Sequence, residues 1–137
     1  MLITRRAEFA ASHVCRRPGL SDEANQAIYG AEANPRGHGH NFVLEVTLAG
    51  EPDPATGMVY DLKRLKEVLQ SRVVDAFDHR FLNLDTPPFD RIIPTPENMA
   101  VEIWRRLEPE FAGAVRLEAV RLYETEDLWV EYRGGRP

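Results

Sequence analysis

Two stretches of strict two-residue alternation constrain this chain more than anything else in it. Between residues 2 and 13, Ile3, Ala7, Phe9, Ala11 and His13 share one side of an extended backbone. Phe42, Leu44, Val46 and Leu48 alternate in the same way with Val43, Glu45, Thr47 and Ala49. Each segment reads as a strand with one apolar face, and the second is ready to run antiparallel to the first. Residues 115–124 and 128–133 read as two further strands, a hairpin closed by Thr125-Glu126-Asp127.

The intervening segments differ in kind. Residues 14–37 hold Pro18, Gly19, Gly30, Pro35 and Gly37 with no sustained period, and are expected to form a long loop of the sort that carries function. Asp53-Pro54-Ala55-Thr56-Gly57 has turn composition. Asp61 is suited to cap a helix whose apolar face is Leu62, Leu65, Val68, Leu69 and Val73. A second helix starts with Thr95 as cap and Pro96 at the first position, with Glu97 set against the helix dipole. It buries Met99, Ala100, Ile103, Trp104 and Leu107 and stops at Pro109. The order strand, strand, helix, helix, strand, strand predicts an α+β fold, with a four-stranded antiparallel sheet carrying both helices on one face. The opposite face is expected to hold several apolar residues and to need its own cover, for which a further copy of the chain is one solution.

The 137 residues suffice for one domain, taken as residues 1–137. A net charge of −5 argues against a nucleic-acid partner held by charge, while Arg5-Arg6 and Arg16-Arg17 can still collect phosphate. A single cysteine, Cys15, excludes an intrachain disulfide and fits a reducing cytoplasm. No apolar run reaches membrane-spanning length and no signal-peptide stretch opens the chain, so a cytoplasmic protein acting on a small molecule is expected.

The chemistry concentrates in the histidines. His38 and His40 flank Gly39 at the entry to the second strand, which puts both imidazoles on one face. His13, closing the first strand, can complete a three-nitrogen site with a fourth position open, as catalytic zinc requires. On spacing alone, such a pair most often belongs to a solvated or hydrogen-bonded turn. The fourth histidine follows an acid in Asp78-His79, suited either to proton transfer or to a structural role. Glu124 precedes the hairpin turn, where a solvated acid is the plainer reading.

Six segments in order carry a resemblance. They are Phe9-Ala10-Ala11-Ser12-His13, Gly37-His38-Gly39-His40-Asn41-Phe42, Thr56-Gly57-Met58-Val59, Asp78-His79 with Leu82-Asn83, Pro94-Thr95-Pro96-Glu97-Asn98, and Tyr123-Glu124-Thr125. Together they span nearly the whole chain, which resembles the 6-pyruvoyl-tetrahydropterin synthase and 6-carboxytetrahydropterin synthase family. The resemblance implies the tunnelling fold, in which trimers close a barrel and two trimers stack into a homohexamer with active sites between subunits. It implies Zn2+ on His13, His38 and His40, and 7,8-dihydroneopterin triphosphate as substrate. It further implies Asp78 and His79 as the proton-transfer pair and Glu124 as the pterin anchor. Thr95 and Glu97 either line the pterin pocket or serve only the helix start.

The chain departs from the family at one place. Where the pyruvoyl enzymes carry a catalytic cysteine in the loop before the His-x-His motif, the corresponding residue here is Glu32. Glutamate is intrinsically a much weaker base than cysteine, about 4.3 against about 8.5 in pKa. Relatives with a loop glutamate are associated with retro-aldol cleavage to 6-hydroxymethyl-7,8-dihydropterin for folate synthesis. Three products therefore compete: that one, the pyruvoyl pterin, and the carboxy pterin of deazapurine (queuosine) biosynthesis. Cys15 either approaches the zinc from another direction or packs as a small hydrophobe. A non-catalytic pterin- or purine-binding protein and a structural metal domain are the readings from other classes.

Overall fold

In a computed structural model, which describes residues 1–135, the two alternating segments form the long central strands. Strand β1 (Leu2–His13) pairs antiparallel with β2 (His38–Gly50) along its whole length, Leu2 opposite Ala49 and His13 opposite His38. The hairpin is β4 (Val115–Tyr123) with β5 (Trp129–Tyr132), and β4 pairs antiparallel with β2. An irregularity between Thr47 and Leu48 shifts that register, as a bulge does.

The sheet has five strands rather than four, in the order β3-β1-β2-β4-β5. The addition, β3, is only Arg80–Phe81 and runs parallel to β1 opposite Ala11 and Ser12. Two residues carry no period, so alternation had no means of finding it.

Helix α2 (Leu62–Leu69) begins at Asp61, whose side chain accepts from the Lys63 N–H at 2.8 Å. It continues through a π-helical turn, Gln70–Val74, into α3 (Asp75–Phe77). Leu65, Val68, Leu69 and Val73 are buried as expected, whereas Leu62 sits in the solvent-facing first turn and is 48 % exposed. A short helix α4 (Leu82–Asp85) follows β3. Helix α5 (Pro96–Leu107) is capped by Thr95, which accepts from the Asn98 N–H, and buries all five residues assigned to its apolar face. The inward faces of β1 and β2 meet these helices in one core, where Phe9 packs on Phe42 at 5.2 Å and on Phe77 at 5.3 Å between ring centroids.

One further expectation is corrected. The segment 14–37 is not simply a loop, because Asp22–Tyr29 forms helix α1, with Ser21 accepting from the Ala24 N–H. Its only buried residue is Asn25, so hydrophobic periodicity had nothing to report there. The uncovered sheet face carries apolar and charged residues together: Val43, Tyr123 and Trp129 form one cross-strand row, and a charged row lies beside it. Arg6, Glu45, Arg121 and Glu131 stand opposite one another across four strands. Arg121 bridges to Glu131 at 2.7 Å and lies 4.3 Å over the Trp129 ring. Among the described residues no helix is long and apolar enough to cross a membrane.

Candidate active site and metal centre

The site grows from the far end of the β1–β2 pair. His13 lies directly opposite His38, and His40 lies opposite Ala11, so cross-strand register alone brings three imidazoles onto the inward face. Ring centroids are 4.5 Å apart for His13 and His38, 5.4 Å for His13 and His40, and 4.9 Å for His38 and His40. Gly37 makes the entry to β2 possible. Its φ of +78° belongs to the left-handed region, and a Cβ there would stand 3.2 Å from the Phe81 ring and 3.4 Å from the His13 carbonyl.

His13 is fully buried, and its Nδ1 donates to the Pro94 carbonyl at 2.7 Å. That bond fixes the neutral tautomer with Nε2 unprotonated and turned toward the other rings. Burial is the chief cause lowering the His13 pKa, opposed by the Pro94 hydrogen bond and aided by His38. Burial, then His38, likewise lowers that of His40. Among the described residues, His13 Nε2, both ring nitrogens of His38, His40 Nε2 and Glu124 Oε2 are buried without hydrogen-bond partners. Five such polar atoms lacking protein partners in one cluster are costly unless something else satisfies them.

Two carboxylates face this cluster. Glu32 Oε2 is 2.7 Å from His38 Nε2 and 3.5 Å from His13 Nε2, and the closer approach is out of hydrogen-bond alignment. Glu124 stands 3.8 Å from His13 Nε2 and 3.9 Å from His40 Nε2. It is 6 % exposed rather than a solvated turn acid, and burial, then the charges of Glu32 and Glu97, pushes its carboxyl up to about 7. The turn acids Glu126 and Asp127 are exposed. One donor atom each from His13, Glu32, His38 and His40 lies within 4.8 Å of every other, a group able to hold a metal ion. Imidazole nitrogen with carboxylate oxygen is a donor set suited to a divalent transition metal.

Asp78 Oδ2 is 2.8 Å from His79 Nδ1, and Asp78 also accepts from the Ala10 N–H at 2.9 Å. The Ala10 hydrogen bond, then that of His79, holds the Asp78 carboxyl below its usual range. His79 has a φ of 57° and a largely exposed ring. It lines a cleft of about 610 Å³ with Ser12, His40 and Asn41, but is not part of the metal-holding group. Thr95 is accounted for by its capping bond, and Glu97 is exposed near enough to bear on Glu124 and Cys15. Cys15 is buried, its thiol 3.8 Å from the Pro94 carbonyl, and burial followed by Glu32 pushes its pKa up to about 12.

Two contributors escaped sequence reading, although both lie in the quoted motifs. Pro94 acts through its carbonyl, which no side-chain inventory records. Asn83 clamps β1 just beyond His13, accepting from the Val14 N–H at 2.8 Å and donating to the Val14 carbonyl at 3.0 Å.

Residues 2–135 match the family model described as 6-pyruvoyl tetrahydropterin synthase. The chain is 43 % identical over 132 residues to the 6-pyruvoyl tetrahydrobiopterin synthase of Pongo abelii, covering 96 % of this chain and 90 % of that protein. The solved 6-pyruvoyl tetrahydropterin synthase of Caenorhabditis elegans superposes with a TM-score of 0.90 at 36 % identity, covering 98 % of this chain and 96 % of the other. A Plasmodium vivax 6-pyruvoyltetrahydropterin synthase, solved with a glutamate described as a catalytic residue replaced by alanine, shares the fold at a TM-score of 0.62 and 16 % identity. That match covers 96 % of this chain and 97 % of the other. The architecture is thus the tunnelling fold, and the chain belongs to the 6-pyruvoyl tetrahydropterin synthase family.

Proposed function

We propose that the protein is a zinc-dependent lyase acting on the side chain of 7,8-dihydroneopterin triphosphate. The observation that carries this is the set of inward, buried, partnerless nitrogens, His13 Nε2, His38 Nε2 and His40 Nε2, beside the partnerless Glu124 Oε2. These three imidazoles would hold the metal, and Zn2+ when bound supplies Lewis acidity to a substrate oxygen. Glu124 is the pterin anchor: a carboxylate can accept two parallel hydrogen bonds from the amino and ring N–H groups of a pterin. Its orphan oxygen and desolvated setting make that exchange favourable. Asp78 orients His79 through Nδ1, leaving Nε2 to carry a proton to or from the substrate side chain.

Assembly into a homohexamer with active sites between subunits is part of this reading. It finds support in the sheet edges: among the described residues β1 has a neighbour beyond it only at Ala11 and Ser12, and β5 ends the sheet. Open edges invite pairing with another chain. An interfacial site also gives the exposed His79 a cluster to serve across the boundary.

A second reading of the product is favoured by Glu32. Its carboxylate borders the histidine cluster, whereas the thiol of Cys15 is buried and held protonated. With Glu32 taking the proton of the C2′ hydroxyl, the C1′–C2′ bond breaks. Its electron pair passes into the dihydropterin ring system, C2′ leaves as the aldehyde of the triphosphate fragment, and C1′ is reprotonated to give 6-hydroxymethyl-7,8-dihydropterin.

Mass spectrometry of the products from zinc-loaded protein and 7,8-dihydroneopterin triphosphate tests both readings. A pyruvoyl or carboxy pterin upholds the lyase without the glutamate branch, and a hydroxymethyl pterin upholds the branch. Substrate that is bound and recovered intact refutes both in favour of a pterin-binding protein.

A further inference from the structure

The position of Glu32 is unusual for a residue that only waits to accept a proton. A free base in an open loop would turn its carboxylate to water or to a cation such as Arg36. Glu32 instead turns inward, and among the described residues the ionisable partners within 4 Å of its carboxylate are the imidazoles of His38 and His13. The backbone enforces this. The Cys15 N–H donates to the Glu32 carbonyl at 2.9 Å, tying the 3-10 turn Gly30–Ala33 to the chain two residues past His13. The neighbouring Ala33 is 2 % exposed, so the turn is seated rather than loose.

The contacts are also chemically mismatched as they stand. With Nδ1 of His13 committed to the Pro94 carbonyl, its Nε2 in the neutral ring is a lone pair. The Glu32 carboxylate oxygen 3.5 Å away is a second acceptor. Acceptors that converge with no donor between them repel, unless a cation sits among them. Glu32 is the carboxylate that fits as its ligand. Its oxygen falls within 4.8 Å of a donor atom on all three histidines and lies nearer His38 and His13 than the oxygens of Glu124 lie to any of the rings.

We propose that Glu32 is a fourth ligand of the divalent metal in the substrate-free protein, closing a three-histidine, one-carboxylate site that substrate must open. This rests on the metal-site reading given above and extends it. A site with four protein ligands has the character of a structural centre, and one with three and an exchangeable position that of a catalytic centre. Glu32 converts one into the other by leaving. Side-chain rotation suffices, because the carbonyl held by Cys15 does not have to move. Displacement by a substrate oxygen also delivers a newly freed carboxylate beside that oxygen, so ligand and base are successive states of one group. Where the family's cysteine would be the loop group, glutamate brings a harder donor to the metal.

The test is titration of the metal-free protein with Co2+, following its visible d–d absorption and its affinity by competition with a chromophoric chelator. For wild type, Glu32→Gln, Glu32→Ala and His38→Ala, circular dichroism of the metal-free forms reports folding. Neither Glu32 substitution touches the backbone bond to Cys15, and alanine serves where glutamine fails to fold. The expected result is a changed band position and intensity in both Glu32 variants. Co2+ affinity should fall at least as far as the about 10- to 100-fold seen on losing an outer-shell partner. A wild-type spectrum and affinity in the Glu32 variants, alongside loss of both in His38→Ala, would overturn the fourth ligand and leave the histidine site standing. No Co2+ binding by wild type would overturn the histidine site, and the fourth ligand with it.

Discussion

Asn83→Ala should loosen the whole histidine-bearing end of the sheet, although the hydrogen bonds of Asn83 go to Val14 and not to a histidine. Its amide makes two hydrogen bonds to the backbone of Val14, at 2.8 and 3.0 Å, and Val14 is 6 % exposed. Each bond contributes about 1 kcal/mol net, and leaving a buried backbone group without a partner costs about 1–3 kcal/mol. Allowing for partial rescue by water, the loss comes to about 2–4 kcal/mol. For 137 residues, an unfolding entropy of about 2.1 cal/mol/K per residue makes 1 kcal/mol equivalent to about 3.5 °C. Differential scanning calorimetry of the metal-free protein should therefore record a fall in Tm of roughly 7–14 °C. Because Val14 adjoins His13, Co2+ affinity should fall together with stability, by about 10-fold or more. A fall in Tm under about 2 °C with unchanged metal affinity would refute the clamp.

Three other outcomes follow from the same geometry. Glu124→Gln should raise KM for the pterin about 10- to 100-fold in steady-state kinetics, since charged hydrogen bonds of about 1.5–3 kcal/mol are lost; an unchanged KM would remove Glu124 as the anchor. Asp78 has a folded pKa below its ordinary 3.8, so its stabilising contribution is complete above that value and disappears as pH falls through the lower folded value. Asp78→Asn should therefore flatten the acid limb of a Tm-versus-pH curve below about pH 5, and an unaltered limb would contradict the Ala10 and His79 bonds as its cause. Cys15, 3 % exposed, should resist iodoacetamide in the native protein and take one equivalent in denaturant, as counted by intact mass; native labelling would contradict its burial.

What the sequence revealed, and what it hid, divides by the range of the interaction. Alternation located β1 and β2 because each presents a face to the core, and capping residues located α5 because Thr95 and Pro96 act within one turn. The histidine site was legible for the same reason: two strands of fixed period, paired in register, can place His13 only near His38 and His40. Helix α1 escaped because it buries almost nothing, although Ser21 followed by Asp22 and Glu23 was a readable start. Strand β3 escaped because it exists only as a consequence of tertiary contact: Asp78, His79 and Asn83 fasten residues 78–83 to β1. The charged row Arg6, Glu45, Arg121 and Glu131 on the free sheet face is a cross-strand feature, which no single strand displays. Glu32 was found only by comparison with a cysteine, and its inward turn toward His38 was beyond any reading of the loop.

The central claim is that three histidines hold a metal on which conversion of the pterin substrate depends. The most direct measurement is the rate of disappearance of 7,8-dihydroneopterin triphosphate with one preparation in three states: metal-free, reloaded with Zn2+, and reloaded as the His40→Ala variant. The account predicts turnover only in the reloaded wild type, with the substrate-derived pterin recovered as a new mass. Equal turnover by the metal-free protein, or by the His40→Ala variant, would contradict it.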